Sequence, residues 1–321
     1  TIVYDEIGET INTEKIDSAV YFIKKTMCDT IIGFGGLDSL HAARAIALLV
    51  NNYLFCEELF DNPAVHEPIT LITIPAYPLF GFELIPMFFI NDIKENIKKC
   101  YQNRLLFPTA TIIDPKISVD IDEETTVGGA ISSLAIATEA VISKKNNGLV
   151  NTLALRSIDL IFKNLPIVYH EPGNAAARSL LSLASTMAGV AFSIADLSVT
   201  LAISLAINSI TSISLENAMG LILPHIMEYN LTSSPGRYVQ MSKVMDEDVR
   251  DITVIEAAIK AVEGVRKLEM EVDVPQRLSQ FEIPKTELSK IADIAINYPF
   301  IEYAPRPLSK NEIETILIAA Y

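Results

Sequence analysis

The sequence has 321 residues, half of them hydrophobic, and carries a formal net charge of −15 at pH 7. This length predicts two domains, each large enough to bury its own core. The negative charge argues against partners that are themselves anionic, so we expect neither nucleic acid nor a membrane surface as a partner. Cys28, Cys56 and Cys100 are odd in number and far apart, which indicates a reducing, cytoplasmic location without disulfides or a cysteine zinc site.

The first third of the chain alternates short strands with helices. Its hydrophobic patterns predict strands at residues 1–4, 30–34, 69–74 and 110–113 and helices at 13–27 and 38–51, with Thr13 as the first N-cap. The pair Gly35-Gly36 stands between a buried strand and a helix. Strand, glycine turn, helix and strand in this order are typical of a parallel, doubly wound sheet.

Helical periodicity dominates from about residue 117 onward. We therefore place the domain boundary at 114–118, with a Rossmann-like domain at 1–116 and an all-helical domain at 117–321. Between Asp196 and Glu216 the chain has no charged residue and no histidine. That stretch predicts a buried helix, a turn and a second helix that ends near Pro224.

Six segments resemble one known family in unbroken order. They are IIGFGGLDSLHAARAIALL at 31–49, ITLITIPAYPLFGFELIP at 69–86, FPTATIIDPKIS at 107–118, ATEAVIS at 137–143, LILPHIMEYN at 221–230 and YAPRPLSKNEIETILIAAY at 303–321. This series resembles the iron-containing (group III) alcohol dehydrogenases. The resemblance implies a nucleotide-binding α/β domain followed by an all-helical metal-binding domain. It begins partway into the first domain, so we expect the family's first β-α unit to be missing.

The resemblance also implies a metal site, formed by an aspartate and a histidine four residues apart on one helix and by two further histidines. Those four positions are occupied here by Ser132, Ile136, Leu201 and Leu215, and another family histidine beside the metal falls at Leu205. Iron or zinc needs nitrogen and oxygen ligands at about 2.0–2.2 Å, which leucine and isoleucine lack. No histidine occurs at 171–224, so shifting the alignment of this segment does not bring a pair of histidines to the two remaining ligand positions. We expect a degenerate site without metal ligands.

The two loops that the resemblance assigns to nucleotide binding are also altered. The family motif GGGS corresponds here to GGLD at 35–38, and the positions that match the family's cofactor-binding loops are Gly35, Gly36, Asp38 and Gly81. An aspartate suits a helix N-cap but repels a phosphate. The second loop reads PAYPLFGFE at 75–83, and we expect its bulky Tyr77, Leu79, Phe80 and Phe82 to fill the cleft.

Three functions remain open from the sequence. The first is a pseudoenzyme of the oxidoreductase family, structural or regulatory, for which no cofactor is expected. The second is a metal-independent NAD(P)-dependent alcohol or aldehyde oxidoreductase, which needs another group to polarise the carbonyl; no catalytic residue is identified for it. The third is a protein that binds a small apolar ligand. As a partner we expect a second copy of the chain or a related active subunit.

Overall fold

The computed structural model describes residues 1–8 and 10–321. The strands are β1 (Thr30–Gly35), β2 (Thr70–Pro75), β3 (Met87–Asp92), β4 (Ile97–Gln102) and β5 (Ala110–Thr111), with helices α1 (Thr13–Thr26) and α2 (Leu37–Asn51) among them. Strands β1, β2 and β5 form a parallel sheet in the order β1-β2-β5, and β3 and β4 form an antiparallel hairpin. The predicted parallel sheet in the first part of the chain is confirmed.

The register of the parallel sheet positions the two loops of interest side by side. Strands β1 and β2 pair from Thr30 opposite Thr70 to Gly35 opposite Pro75. The pairing continues one step further, where the Ala76 N–H donates to the Gly35 carbonyl at 3.0 Å. Because both strands run in the same direction, the glycine turn after β1 and the loop after β2 leave the sheet at the same edge.

The remainder of the described chain is helical. Its helices are α3 (Glu123–Ile142), α4 (Gly148–His170), α5 (Ala175–Ala195), α6 (Val199–Ile210), α7 (Leu215–Leu231), α8 (Pro235–Val244), α9 (Val254–Glu271), α10 (Glu287–Ala295) and α11 (Lys310–Ala319). Helix α3 is buried from Thr126 to Ile142 and packs against α4, α5 and α7. The Asp122 carboxylate caps its start by accepting from the Thr125 N–H at 2.8 Å. A helical second part without strands, as predicted, follows the sheet.

Three local predictions are wrong. Residues 1–4 form no strand, because they pair with no neighbouring strand among the described residues and the first three are exposed. The N-cap of α1 is Asn12 rather than Thr13, since the extended backbone of Asn12 lets its side chain accept from the Lys15 N–H at 2.9 Å. Helix α7 continues through Pro224 to Leu231, because buried apolar residues on both sides of the proline hold the helix against the core.

Within the described residues, two helices, α3 and α5, are long and apolar enough to span a membrane by length and composition alone. In α3, 94% of the apolar window is buried inside the protein, and in α5 the buried share is 56%. Buried core helices meet the same criterion of length and composition.

Candidate functional site

The glycine turn, the hairpin and the turn between α6 and α7 line a cavity of about 600 Å³ that is open to solvent. Among the many polar side chains that line it, six come from five parts of the chain and concern the site most. They are Asp38 and His41 on α2, Tyr77 after β2, Lys98 on β4, Asn208 on α6 and Glu216 on α7. The cavity therefore lies where the α/β part of the chain meets the helical part.

The glycine turn at the cavity is covered by a tyrosine. A Cβ atom placed on Gly36 would lie 3.0 Å from the Tyr77 hydroxyl oxygen and 3.2 Å from Cε1 of the same ring. A phosphate-binding turn uses its small residues to leave the backbone N–H groups accessible. In this chain the phenol of Tyr77 occupies that space.

Asp38 does not cap α2 as predicted. The helix begins one residue earlier, so its N-cap is Gly36, which has no side-chain capping bond, and Asp38 lies in the first turn. Gly36 and Asp38 line the cavity, and Gly35 precedes them at the end of β1. Burial raises the pKa of the Asp38 carboxyl, and the ammonium of Lys98 lowers it again in part.

Gly81, the fourth position assigned to cofactor binding, packs against α5. Its φ of +71° favours glycine, and a Cβ there would lie 2.4 Å from the Cα of Gly189. The Gly81 N–H donates to the Ser185 hydroxyl at 3.0 Å. The structure thus gives Gly81 a packing role at a close approach of two backbones.

The bulky residues of the second loop do not all fill the cleft. Leu79, Phe80 and Phe82 are at most 1% exposed and belong to the hydrophobic core. Tyr77 alone among the four lines the cavity. The expected apolar plug is therefore wrong for three of its four members, because the loop turns these three side chains inward.

The residues that the sequence resemblance aligns with metal ligands lie in the protein interior. Ser132, Ile136, Leu201 and Leu205 are 0% exposed and Leu215 is 5% exposed. The Ser132 hydroxyl has no hydrogen-bond partner among the described residues. Leu205 and Leu215 also form part of the cavity wall, so the apolar cluster adjoins the polar cavity.

The carboxylate in the buried part of α3 is already engaged. Glu139 accepts from the Ser198 hydroxyl at 2.8 Å and from the N–H groups of Val199 and Thr200 at 2.8 and 3.0 Å. It therefore caps the N-terminus of α6, where unpaired N–H groups favour a negative charge. Within residues 1–8 and 10–321, no group of three or more His, Cys, Asp or Glu side chains is arranged to hold a metal ion.

His41 is the histidine of the cavity. Its Nδ1 accepts from the Phe89 N–H at 3.0 Å, and its ring makes edge contacts with Phe82 and Phe89 at centroid distances of 4.5 and 5.1 Å. Because Nδ1 is an acceptor, the proton of the neutral imidazole is on Nε2. Burial lowers the pKa of His41 well below its usual value, with a further contribution from Lys98.

Lys98 and Glu216 are cavity residues that the sequence did not reveal. Lys98 lies on a hairpin that was not predicted, and Glu216 was noted only as the end of an uncharged stretch. The apolar run at 87–90, followed by the turn-forming residues Asn91, Asp92 and Asn96, is the signal that could have revealed a strand and turn here. No local signal points to Glu216 as a cavity residue.

A parallel α/β layer, an all-helical part and a cleft between them define a two-part α/β plus all-α architecture. The chain belongs to the iron-containing alcohol dehydrogenase family: the model "Iron-containing alcohol dehydrogenase" matches residues 1–115, and the model "Fe-containing alcohol dehydrogenase family, C-terminal" matches residues 126–321. The family predicted from the six sequence segments is confirmed.

Individual relatives are similar over nearly the whole chain. The 1,3-propanediol dehydrogenase of Klebsiella pneumoniae is 23% identical over 324 residues, which cover 99% of this chain and 83% of that protein. The probable alcohol dehydrogenase EutG of Escherichia coli K12 is 28% identical over 318 residues, covering 98% and 78%. The solved alcohol dehydrogenase from Oenococcus oeni has a TM-score of 0.96 at 21% identity and covers 100% of this chain and 84% of its own, which shows the shared fold.

Proposed function

We propose that this chain is a pseudoenzyme of the iron-containing alcohol dehydrogenase family, without the metal site and with a structural or regulatory role. The observation that carries the proposal is the set of side chains at the family's four ligand positions. Ile136, Leu201 and Leu215 are buried aliphatic residues, and Ser132 offers one neutral hydroxyl. Iron and zinc sites need several nitrogen or anionic oxygen ligands, and this set provides none of them.

Neighbouring polar groups do not replace the missing ligands. Glu139 uses its carboxylate to cap α6 through three hydrogen bonds. His41 has the lone pair of Nδ1 engaged with Phe89 and a proton on Nε2. Both arrangements support the proposal, because a ligand must have a lone pair free to face the metal.

A metal-independent dehydrogenase receives less support from the same cleft. The phenol of Tyr77 is a candidate acid for such an enzyme, since it lies over the glycine turn and lines the cavity. Burial raises the pKa of Tyr77 strongly, and the carboxylates of Glu216 and Asp38 raise it further. A proton donor works best with a pKa near the working pH, so this tyrosine is poorly tuned for the role.

Metal analysis and activity assays together test the proposal. Tag-free protein, incubated with excess Fe²⁺ or Zn²⁺ and then dialysed, should retain well under one equivalent of metal and should not reduce aldehydes with NADH or NADPH. The positive control is the fourfold variant Ser132→Asp, Ile136→His, Leu201→His and Leu215→His, which restores the family's ligands. Stoichiometric metal in the parent that is lost in Ser132→Ala would refute the proposal.

The partner, a second copy or a related active subunit, stays a prediction. Light scattering on the purified chain measures self-association. Co-purification with an active family member, produced in the same cells, tests whether the partner is a related active subunit. A monomer that joins no active member would argue against a role as a partner subunit.

A further inference from the structure

The hairpin of β3 and β4 places one lysine in the wall of the cavity. Lys98 lies on β4 opposite Asn91 of β3, and both residues line the cavity. The backbone of Lys98 is fixed by the helical part of the chain. Its N–H donates to the Ser209 hydroxyl at 3.0 Å, and its carbonyl accepts from the Tyr298 hydroxyl at 2.6 Å. The Lys98 side chain therefore starts from a well-held point of the cavity wall.

The amine of Lys98 is not engaged by another side chain. Within the described part of the chain it forms no ion pair at 4.0 Å or less, and the hydrogen bonds of Lys98 to side chains are made by its backbone. Its neighbour Lys99 lies on the opposite face of the strand and pairs with Asp92 and Glu95, both at 2.7 Å. Lys98 thus differs from Lys99 in having an amine that a molecule in the cavity can meet.

The amine of Lys98 lies among the ionisable side chains of the cavity. Its charge affects the pKa values of Asp38 and His41 on α2 and of Glu216 on α7. The carboxylates of Asp38 and Glu216 are nevertheless more than 4.0 Å from the Lys98 nitrogen, since neither forms an ion pair with it. This separation leaves space for a small group between the amine and the carboxyls.

Burial makes Lys98 a better nucleophile than an ordinary lysine. Burial lowers the pKa of Lys98, and the carboxylates of Asp38 and Glu216 offset only part of this effect. Against the effect of burial, hydrogen bonds with Asp92 and Glu95 raise the pKa of Lys99. Only the neutral amine has a lone pair that attacks a carbonyl carbon, and a lowered pKa increases its share near pH 7.

We propose that the amine of Lys98 forms a reversible imine with a small hydroxyaldehyde that enters this cavity. The cavity volume of about 600 Å³ lies within the range of roughly 300–1,000 Å³ that is usual for small-molecule sites. The polar side chains of Ser39, Asn208 and Thr211 in its wall suit the hydroxyl groups of such a ligand. An imine forms without a metal or a nucleotide, so this activity goes beyond the proposed loss of the metal.

Imine formation balances with the groups that are present. The Lys98 nitrogen attacks the carbonyl carbon, a C–N bond forms, and the electrons of the C=O double bond move to the oxygen. The two protons of the neutral amine then pass to this oxygen, which leaves as water when the C–O bond breaks and the C=N bond forms. The carboxyl of Glu216 is placed to carry these protons, because burial raises its pKa towards neutral pH. Water reverses the same steps and releases the aldehyde.

Reductive trapping tests this assignment. The full chain is incubated with glyceraldehyde and sodium cyanoborohydride, which reduces an imine to a stable secondary amine, and the adducts are located by peptide mass spectrometry. At pH 7 the initial rate of labelling at Lys98 should be at least tenfold above that at Lys99. Glycerol, which has no carbonyl group, should add no mass. Labelling of Lys98 no faster than of Lys99 would overturn the proposal.

Variants and pH separate the reaction at Lys98 from general labelling of surface lysines. Lys98→Arg keeps the positive charge but has no amine that forms an imine, so the fast labelling should be lost. Lys99→Arg is the matched control and should keep it. The advantage of Lys98 over Lys99 should shrink towards about pH 10, where both amines become neutral.

Fast labelling that persists in Lys98→Arg contradicts the assignment. If this variant folds poorly, the map of adducts on the parent chain still decides. Metal content and nucleotide-dependent aldehyde reduction, measured on the same preparation without cyanoborohydride, decide the proposed function separately.

Discussion

Replacing Leu201 by histidine tests whether the family's metal positions are now part of the core. Leu201 is 0% exposed on α6 and belongs to the same hydrophobic cluster as Ile136, Leu205 and Leu215. The change loses the burial of a leucine side chain, about 1.5–3 kcal/mol. It also buries an imidazole without a metal, which costs about 1–3 kcal/mol when the polar group has no partner. Together these effects predict a loss of about 4 kcal/mol in the free energy of unfolding.

Thermal and urea unfolding measure this loss. The melting entropy of a chain of 321 residues corresponds to a shift of about 1.5 °C per kcal/mol, so Leu201→His should melt about 6 °C below the parent. The control is Leu201→Met, which nearly conserves the side-chain volume and should cost less than about 1.5 kcal/mol. Zinc should not raise the melting temperature of Leu201→His, because one imidazole does not make a zinc site.

A second position refines the test. Leu215 is 5% exposed and lines the cavity, so the imidazole of Leu215→His can reach hydrated space and should cost less stability than that of Leu201→His. If Leu201→His has the same melting temperature as Leu201→Met, the reasoning is refuted. Leu201 would then face a hydrated cleft instead of a packed core.

The remaining predictions concern the nucleotide loops and one buried carboxyl. Calorimetry with NADH or NADPH should show no saturable binding at micromolar concentration, and Tyr77→Ala with Asp38→Ser should strengthen any weak binding; tight binding by the parent would contradict this. Gly81→Ala should destabilise the protein by several kcal/mol in urea unfolding, because the close backbone of Gly189 and the positive φ of Gly81 leave no room for a Cβ. The control is Gly148→Ala, which should be nearly neutral because a Cβ on Gly148 would have no atom within 4 Å. Burial raises the pKa of Glu269 well above its usual value, so its folded form binds the proton more tightly and stability falls as pH rises above the unfolded pKa of about 4.3. Glu269→Met should therefore be more stable than the parent at pH 8, and this difference should shrink towards pH 4; a difference independent of pH would refute the assignment.

Local sequence patterns were sufficient to predict that a parallel sheet comes first in the chain and a helical part follows it. Alternating strands and helices around Gly35-Gly36 predicted the parallel sheet, and the periodicity after residue 117 predicted the helical part. These patterns are readable because each element buries its own apolar face at a fixed period. The prediction that Ser132 and Leu201 stand where the family has metal ligands likewise came from residue identity, which needs no tertiary information.

The tertiary structure alone decided what the cleft contains. Leu79 and Phe80 were expected in the cleft but lie in the core, because the loop's path is set by the contact of Gly81 with α5. Lys98 and Glu216 are far apart along the chain, and each looks like an ordinary surface charge by itself. Their meeting depends on the hairpin and on the α6–α7 turn, which are positioned by long-range packing. The set of side chains around a cavity is a property of the whole fold, so no local stretch of sequence carries it.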